Sequence, residues 1–144
     1  MVALSSADHR TSPPTLDIPR EYNAAYDLIE RNLAAGRAAK IAYIDDAGRY
    51  SFAELAERVD RAANALTGLG LGMEDRVLLC ALDSVDWVAA FLGAIKAGIV
   101  PLALNTLFTT EDYAAVLRDS RARAPSGKSF TSATRRREGA KAGE

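Results

Sequence analysis

The feature that most constrains this chain is the apolar run Arg76–Leu82 (RVLLCAL), which shows no alternation of polar and apolar residues. A strand half-exposed to water alternates, whereas one covered on both faces reads as an unbroken run, the pattern of parallel sheets. Asp83 or Ser84 can then cap a helix carrying Trp87, Val88, Phe91, Leu92 and Ile95, apolar positions that nearly surround it. Such a helix is expected to be buried on more than one side. Gly98 closes it, and Ile99–Leu104 (IVPLAL) follows as a second strand. Pro101 cannot donate to a sheet ladder, which places that strand at an edge or near a bulge. The three elements form a βαβ unit, whose crossover is right-handed in nearly all proteins.

The unit is preceded by further signals. Tyr22, Ala25, Tyr26, Ile29 and Leu33 recur at helical spacing, with Gly36 as a stop. Ile41–Asp45, the turn Asp46–Arg49 and a return strand from Tyr50 predict a small hairpin. Ser51-Phe52-Ala53-Glu54 is a capping box. It opens a helix with Leu55, Val59, Ala62, Ala63 and Leu66 on one face, ending near Gly68 or Gly70. Thr109 or Thr110, followed by Glu111 and Asp112, caps a last helix with Tyr113, Val116 and Leu117 inward.

A further strand is due after that helix, and it does not come. From Pro125 to Glu144 there is no Val, Ile, Leu, Met, Trp, Tyr or Cys. A segment so poor in apolar surface does not offset its ordering entropy, so 125–144 is predicted to be a disordered basic tail. Residues 1–20, with Pro13, Pro14 and Pro19, read as a flexible leader. The domain proper is 21–124, an incomplete α/β fold.

Charge follows the same division. The overall net charge of −1 gives no reason to expect nucleic acid or an anionic membrane as the main partner. Residues from Arg118 onward hold eight Lys/Arg and three Asp/Glu, and those before it ten and sixteen. A basic tail on an acidic body reads either as a nucleic-acid arm or as a segment foreign to the fold. With one cysteine no internal disulfide forms, and no signal peptide or membrane-length apolar run is seen. A cytoplasmic protein is the expectation.

Residues able to carry chemistry are few. Gly68–Gly72 (GLGLG) lies after a helix and before a strand, the reverse of a dinucleotide-binding loop, and reads as a connection. Ala122–Ser129 (ARAPSGKS) loosely fits a phosphate loop, but no buried strand feeds it and no helix follows. Arg135-Arg136-Arg137 lacks interleaved aromatics and reads as a solvated tail. His9, the only histidine, lies in the leader, so a histidine triad or metal cluster has no material. Cys80, in the apolar run, is expected to be buried and inert. Asp45-Asp46 fits a hairpin turn and Asp83/Asp86 a helix start. No catalytic, cofactor-binding or metal residue is assigned.

The stretch from Arg76 to Arg123 resembles the amino-terminal subdomain of acyl-adenylate-forming enzymes, the AMP-dependent synthetases and ligases. The likeness rests on Phe91-Leu92-Gly93-Ala94 with Ala97-Gly98, on Pro101 to Asn105, and on the helix from Thr109/Thr110 to Leu117. Upstream, Arg49-Tyr50-Ser51-Phe52-Ala53-Glu54-Leu55 matches the family's helix entry. Tyr22–Ala25, Asp27–Ile29, Ala42–Asp46 and Leu78–Cys80 resemble benzoate-CoA and related aryl-CoA ligases most.

The resemblance implies a two-step ligase. Carboxylate and Mg-ATP give an acyl-adenylate, and the thiol of CoA then displaces AMP. The family's phosphate loop, adenine and Mg segment, ribose-binding Asp and carboxy-terminal Lys are not found here. Phe130-Thr131-Ser132-Ala133-Thr134 echoes the loop's start but departs at Ala133, Arg135 and Glu138, and is rejected as one. The expectation is therefore an amino-terminal fragment of a benzoate-CoA ligase, inactive alone, whose change at Pro125 marks an out-of-frame or truncated end. ATP, Mg, CoA and an aromatic carboxylate would serve only the full-length enzyme, and an exposed sheet edge would favour self-association. The alternative is a non-enzymatic binding or regulatory module that pairs with a full-length ligase. A third reading is a small nucleotide-binding protein using Lys128.

Overall fold

The computed structural model describes residues 4–123. Its centre is a pair of helices, α2 (Phe52–Gly68) and α3 (Val85–Lys96). At the start of α2, the Ser51 hydroxyl accepts from the Glu54 amide at 3.3 Å while the Glu54 carboxylate takes the Ser51 amide at 2.7 Å. That is the predicted capping box, with two orphan donors satisfied reciprocally. Ser84 caps α3 by accepting from the Trp87 amide.

The two helices meet through small residues. Leu55, Val59 and Leu66 of α2 and Val85, Ala89, Gly93 and Ala94 of α3 are buried. Gly93 sits so close to α2 that a Cβ there would lie 2.7 Å from the Ala62 Cβ and 2.9 Å from the Val59 carbonyl oxygen. The large apolar residues expected to bury α3, among them Trp87, Phe91 and Ile95, are only half-buried. Trp87 and Phe91 stack on each other with ring centroids 5.2 Å apart. The close face of a helix needs small side chains, so the bulky ones are turned to its flanks.

On either side of α3, β5 (Arg76–Leu79) and β6 (Val100–Ala103) pair in parallel, with Val77 opposite Pro101. The βαβ unit is as predicted. β5 is shorter than the apolar run, however, and only Val77 is fully buried. Leu66 and Leu71, with Ala94 and Ile99, form a core cluster on Val77. Among the described residues nothing comparable covers the opposite face, so a run written for two covered faces has one.

Among the described residues Pro101 lies on an edge strand, as expected. Val100 donates to the Asp75 carbonyl and Leu104 to the Leu79 carbonyl. Residue 101 therefore faces away from β5, where the missing N–H breaks no bond.

Helices α1 (Ala24–Ala34), α2 and α3 end alike. Gly36, Gly70 and Gly98 have φ of +73°, +81° and +76°, a left-handed conformation that costs glycine little. The amide of each glycine, and that of the residue after it, turn back to carbonyls of the last helical turn. At Leu71–Leu66 and Ile99–Ala94 the bonded residues also share a core cluster. This is the Schellman motif with its apolar contact. GLGLG is thus a helix stop, as read from the sequence.

The hairpin β3 (Ile41–Asp45) and β4 (Gly48–Ser51) forms, but with Gly48 and Arg49 already paired in β4, so that the turn is Asp46-Ala47 and not the expected Asp46–Arg49. Within the segment expected to be a flexible leader, β1 (Ser6–Asp8) and β2 (Thr15–Asp17) form an antiparallel pair that was not foreseen. Strands of three residues are too short to leave a period in the sequence. α4 (Thr110–Ser120) starts at the predicted cap, Thr109 with Asp112, but buries no residue fully, and Leu117 is 45% exposed. The tail 125–144, with Lys128 and the arginine run, lies outside the described residues.

Candidate functional site

In open α/β sheets, ligand sites form beyond the carboxyl ends of the strands. Here that place is bounded by Cys80, just after β5, by Asn105, after β6, and by Tyr113 on α4. The Tyr113 hydroxyl donates to the Asn105 carbonyl at 2.8 Å and lies 3.1 Å from the Cys80 Sγ. The bond to Cys80 chiefly, with some desolvation, pushes the Tyr113 phenol above its ordinary range. The Phe108 ring lies against that of Tyr113 at 5.8 Å.

The Tyr113 hydroxyl thus ties α4 to the chain just beyond both strands. Among the described residues the Tyr113 hydroxyl is the side-chain hydrogen-bond partner of the thiol, and His9 lies in the turn after β1. Cys80, expected to be buried and inert, is exposed. The strand stops one residue before it. A thiol reagent is therefore expected to label Cys80 completely in the native chain without denaturant. A Tyr113→Phe variant, which removes the hydroxyl partner, should label faster.

Two of the carboxylates singled out in the sequence, Asp45 and Asp86, have structural partners, while Asp46 and Asp83 are exposed. Asp45 accepts from the Ala47 and Gly48 amides at 2.9 and 3.0 Å, closing its hairpin, and from the Val85 amide at 2.9 Å, at the start of α3. Its carboxyl lies below its ordinary range, mainly through the Val85 bond. Asp86 pairs with Arg58 at 2.7 Å. Among the described residues no three His, Cys, Asp or Glu side chains converge on a metal position.

One polar group was missed. Asp27 is 3% exposed and is the buried charged residue of the described chain. It accepts from the Ser5 hydroxyl at 2.6 Å, the Ser5 amide at 3.0 Å, the Tyr22 hydroxyl at 3.0 Å and Arg31 Nε at 2.8 Å. These bonds, the Ser5 hydroxyl first, outweigh burial and hold its carboxyl down to about 2. The spacing of Asp27 and Arg31, one helical turn apart, was the available signal.

With this geometry in view, comparison with known proteins identifies the lineage. The AMP-binding enzyme family matches residues 30–139, most of the chain. The chain belongs to the AMP-binding enzyme family.

Within that family it is 58% identical over 124 residues to a benzoate–CoA ligase of Thauera aromatica, an alignment covering 85% of this chain and 24% of that protein. A 4-hydroxybenzoate–CoA/benzoate–CoA ligase of Rhodopseudomonas palustris is 47% identical over 104 residues, 72% of this chain and 19% of that protein. Among solved structures, a benzoate CoA ligase from Burkholderia xenovorans LB400 superposes with a TM-score of 0.67 at 48% identity, over 71% of this chain and 20% of that one. An anthranilate CoA ligase in complex with anthranoyl-AMP gives 0.69 at 39%, over 74% and 20%. The chain thus spans a quarter or less of the length of these relatives. The family match also runs past residue 124, where the domain was expected to end.

The shared fold gives the family glycines a physical reason. Gly93 permits the close approach of α3 to α2, and Gly98 takes the left-handed stop. No helix among the described residues is long and apolar enough to cross a membrane.

Proposed function

We propose that this chain is the amino-terminal scaffold of an aromatic-acid–CoA ligase, of benzoate type, and has no ligase activity by itself. The observation that carries this is its 58% identity, over most of its length, to a benzoate–CoA ligase. The described residues supply packed helices, caps and one parallel strand pair, and of the singled-out carboxylates Asp45 and Asp86 are engaged structurally. In the complete ligase, ATP, Mg and CoA would convert the aromatic acid to its adenylate and then its thioester, on groups beyond those described here. Benzoate-dependent ATP–pyrophosphate exchange tests the reading. The purified chain is expected to give no exchange above background, and turnover by the pure chain would overturn it.

A second reading is a binding module that pairs with a longer ligase. It is favoured by apolar side chains left exposed around the carboxyl end of the sheet, with Leu82 at 73% and Leu107 at 85%. Co-elution with a full-length benzoate–CoA ligase at micromolar concentration would support it, and separate elution would count against it.

A further inference from the structure

We infer that residues 4–22 form a strap locked across the outer face of α1 by the carboxylate of Asp27. The argument begins with helical geometry. Ala25 and Ile29 are buried on α1, and Ile29 belongs to the core cluster with Leu55 and Val59. Residues on a helix are about 100° apart, so Asp27 points about 200° away from both. It faces away from the core, and yet it is as buried as they are.

Its cover comes from the chain that precedes the helix. Ser5 brings an amide and a hydroxyl to the carboxylate, and Tyr22 brings its phenol. Arg31, one turn along, binds Asp27 and reaches over to the Ser5 carbonyl and hydroxyl. Among the described residues, every side-chain hydrogen bond joining residues 4–17 to the rest of the fold passes through Ser5. Those of β1 and β2 stay within the hairpin, and all three residues of β2 are exposed. The hairpin therefore has one polar anchor, and that anchor closes on one ion.

The strap leads directly to a joint between helices. Asn23 follows Tyr22. Its Oδ1 caps α1 by accepting from the Tyr26 amide, and its Nδ2 donates to the Ile95 and Lys96 carbonyls at the end of α3. A carboxylate buried with its donors is costly to leave half-satisfied. The arrangement thus has two states, strap closed with all donors paired or strap open with Asp27 in water. Intermediate positions strand a buried charge.

Amide hydrogen exchange on the full chain at neutral pH distinguishes these states. In Asp27→Asn, the amides of Ser5–Asp8 and Thr15–Asp17 are expected to exchange at least tenfold faster than in the wild type, while those of α2 and α3 keep their rates. Ser5→Ala, which leaves α1 untouched, should shift the same amides in the same direction. Unchanged exchange of the hairpin in both variants would overturn the strap. So would an equal rise across α2 and α3, since that would make Asp27 a general stabiliser and not the lock of a separate element.

Discussion

Gly93→Ala is expected to lower the melting temperature of this chain by more than about 10 °C, from an overlap of about 3 kcal/mol. In an ordinary helix the same change would stabilise by up to about 1 kcal/mol, because alanine loses less backbone entropy than glycine. Here the added Cβ would meet the Ala62 Cβ at 2.7 Å, the Ala63 amide nitrogen at 2.9 Å and the Val59 carbonyl oxygen at 2.9 Å. Two of these are backbone atoms of a helix that cannot move without opening the α2–α3 seam, so the overlap outweighs the propensity gain. Gly68→Ala is the matched control. It sits in the last turn of α2 with no atom within 4 Å of its Cβ position, and should be neutral or slightly stabilising. A calorimetric scan of both variants checks the contrast. Equal melting temperatures for Gly93→Ala and the wild type would mean that the helices lie farther apart than described.

The contrast also shows what could be read from the sequence and what could not. Local signals were legible because the atoms involved are neighbours in the chain. Ser51 and Glu54 are three residues apart, and each glycine stop is written where it acts. The capping box, the helix ends, the β3–β4 hairpin and the βαβ order all follow from such signals. Gly93 was legible only as part of a family resemblance, since its reason lies on another helix.

Hydrophobicity misled where it was taken to specify which neighbour would cover it. Trp87 and Phe91 are apolar enough for a core, but the close seam has room only for Ala89, Gly93 and Ala94. The run through Cys80 and Leu82 is apolar enough for a doubly covered strand, but the described residues cover one face. Asp27 was overlooked for the opposite reason. A charged residue on an amphipathic helix reads as solvated, and its burial depends on Ser5, which reaches it from across the amino-terminal segment.

Ile29→Ala is expected to cost about 3 kcal/mol, more than half the stability of a marginal domain. Ile29 is 1% exposed and packs into the cluster of Leu55, Val59, Val85 and Ala89. Removing its outer carbons leaves a cavity between three helices, and their backbone is fixed by the Gly93 seam and the Asn23 bridge, which limits collapse. Leu28, the preceding residue, is 56% exposed, and Leu28→Ala should stay within about 0.5 kcal/mol of the wild type. Urea unfolding followed by circular dichroism reads both. A midpoint shift for Ile29→Ala with unchanged slope would show that α1 unfolds together with α2 and α3 as one unit. A loss below about 1 kcal/mol would detach α1 from that core. The strap would then be holding a helix that the core does not need, and the family's amino-terminal scaffold would begin in effect at β3.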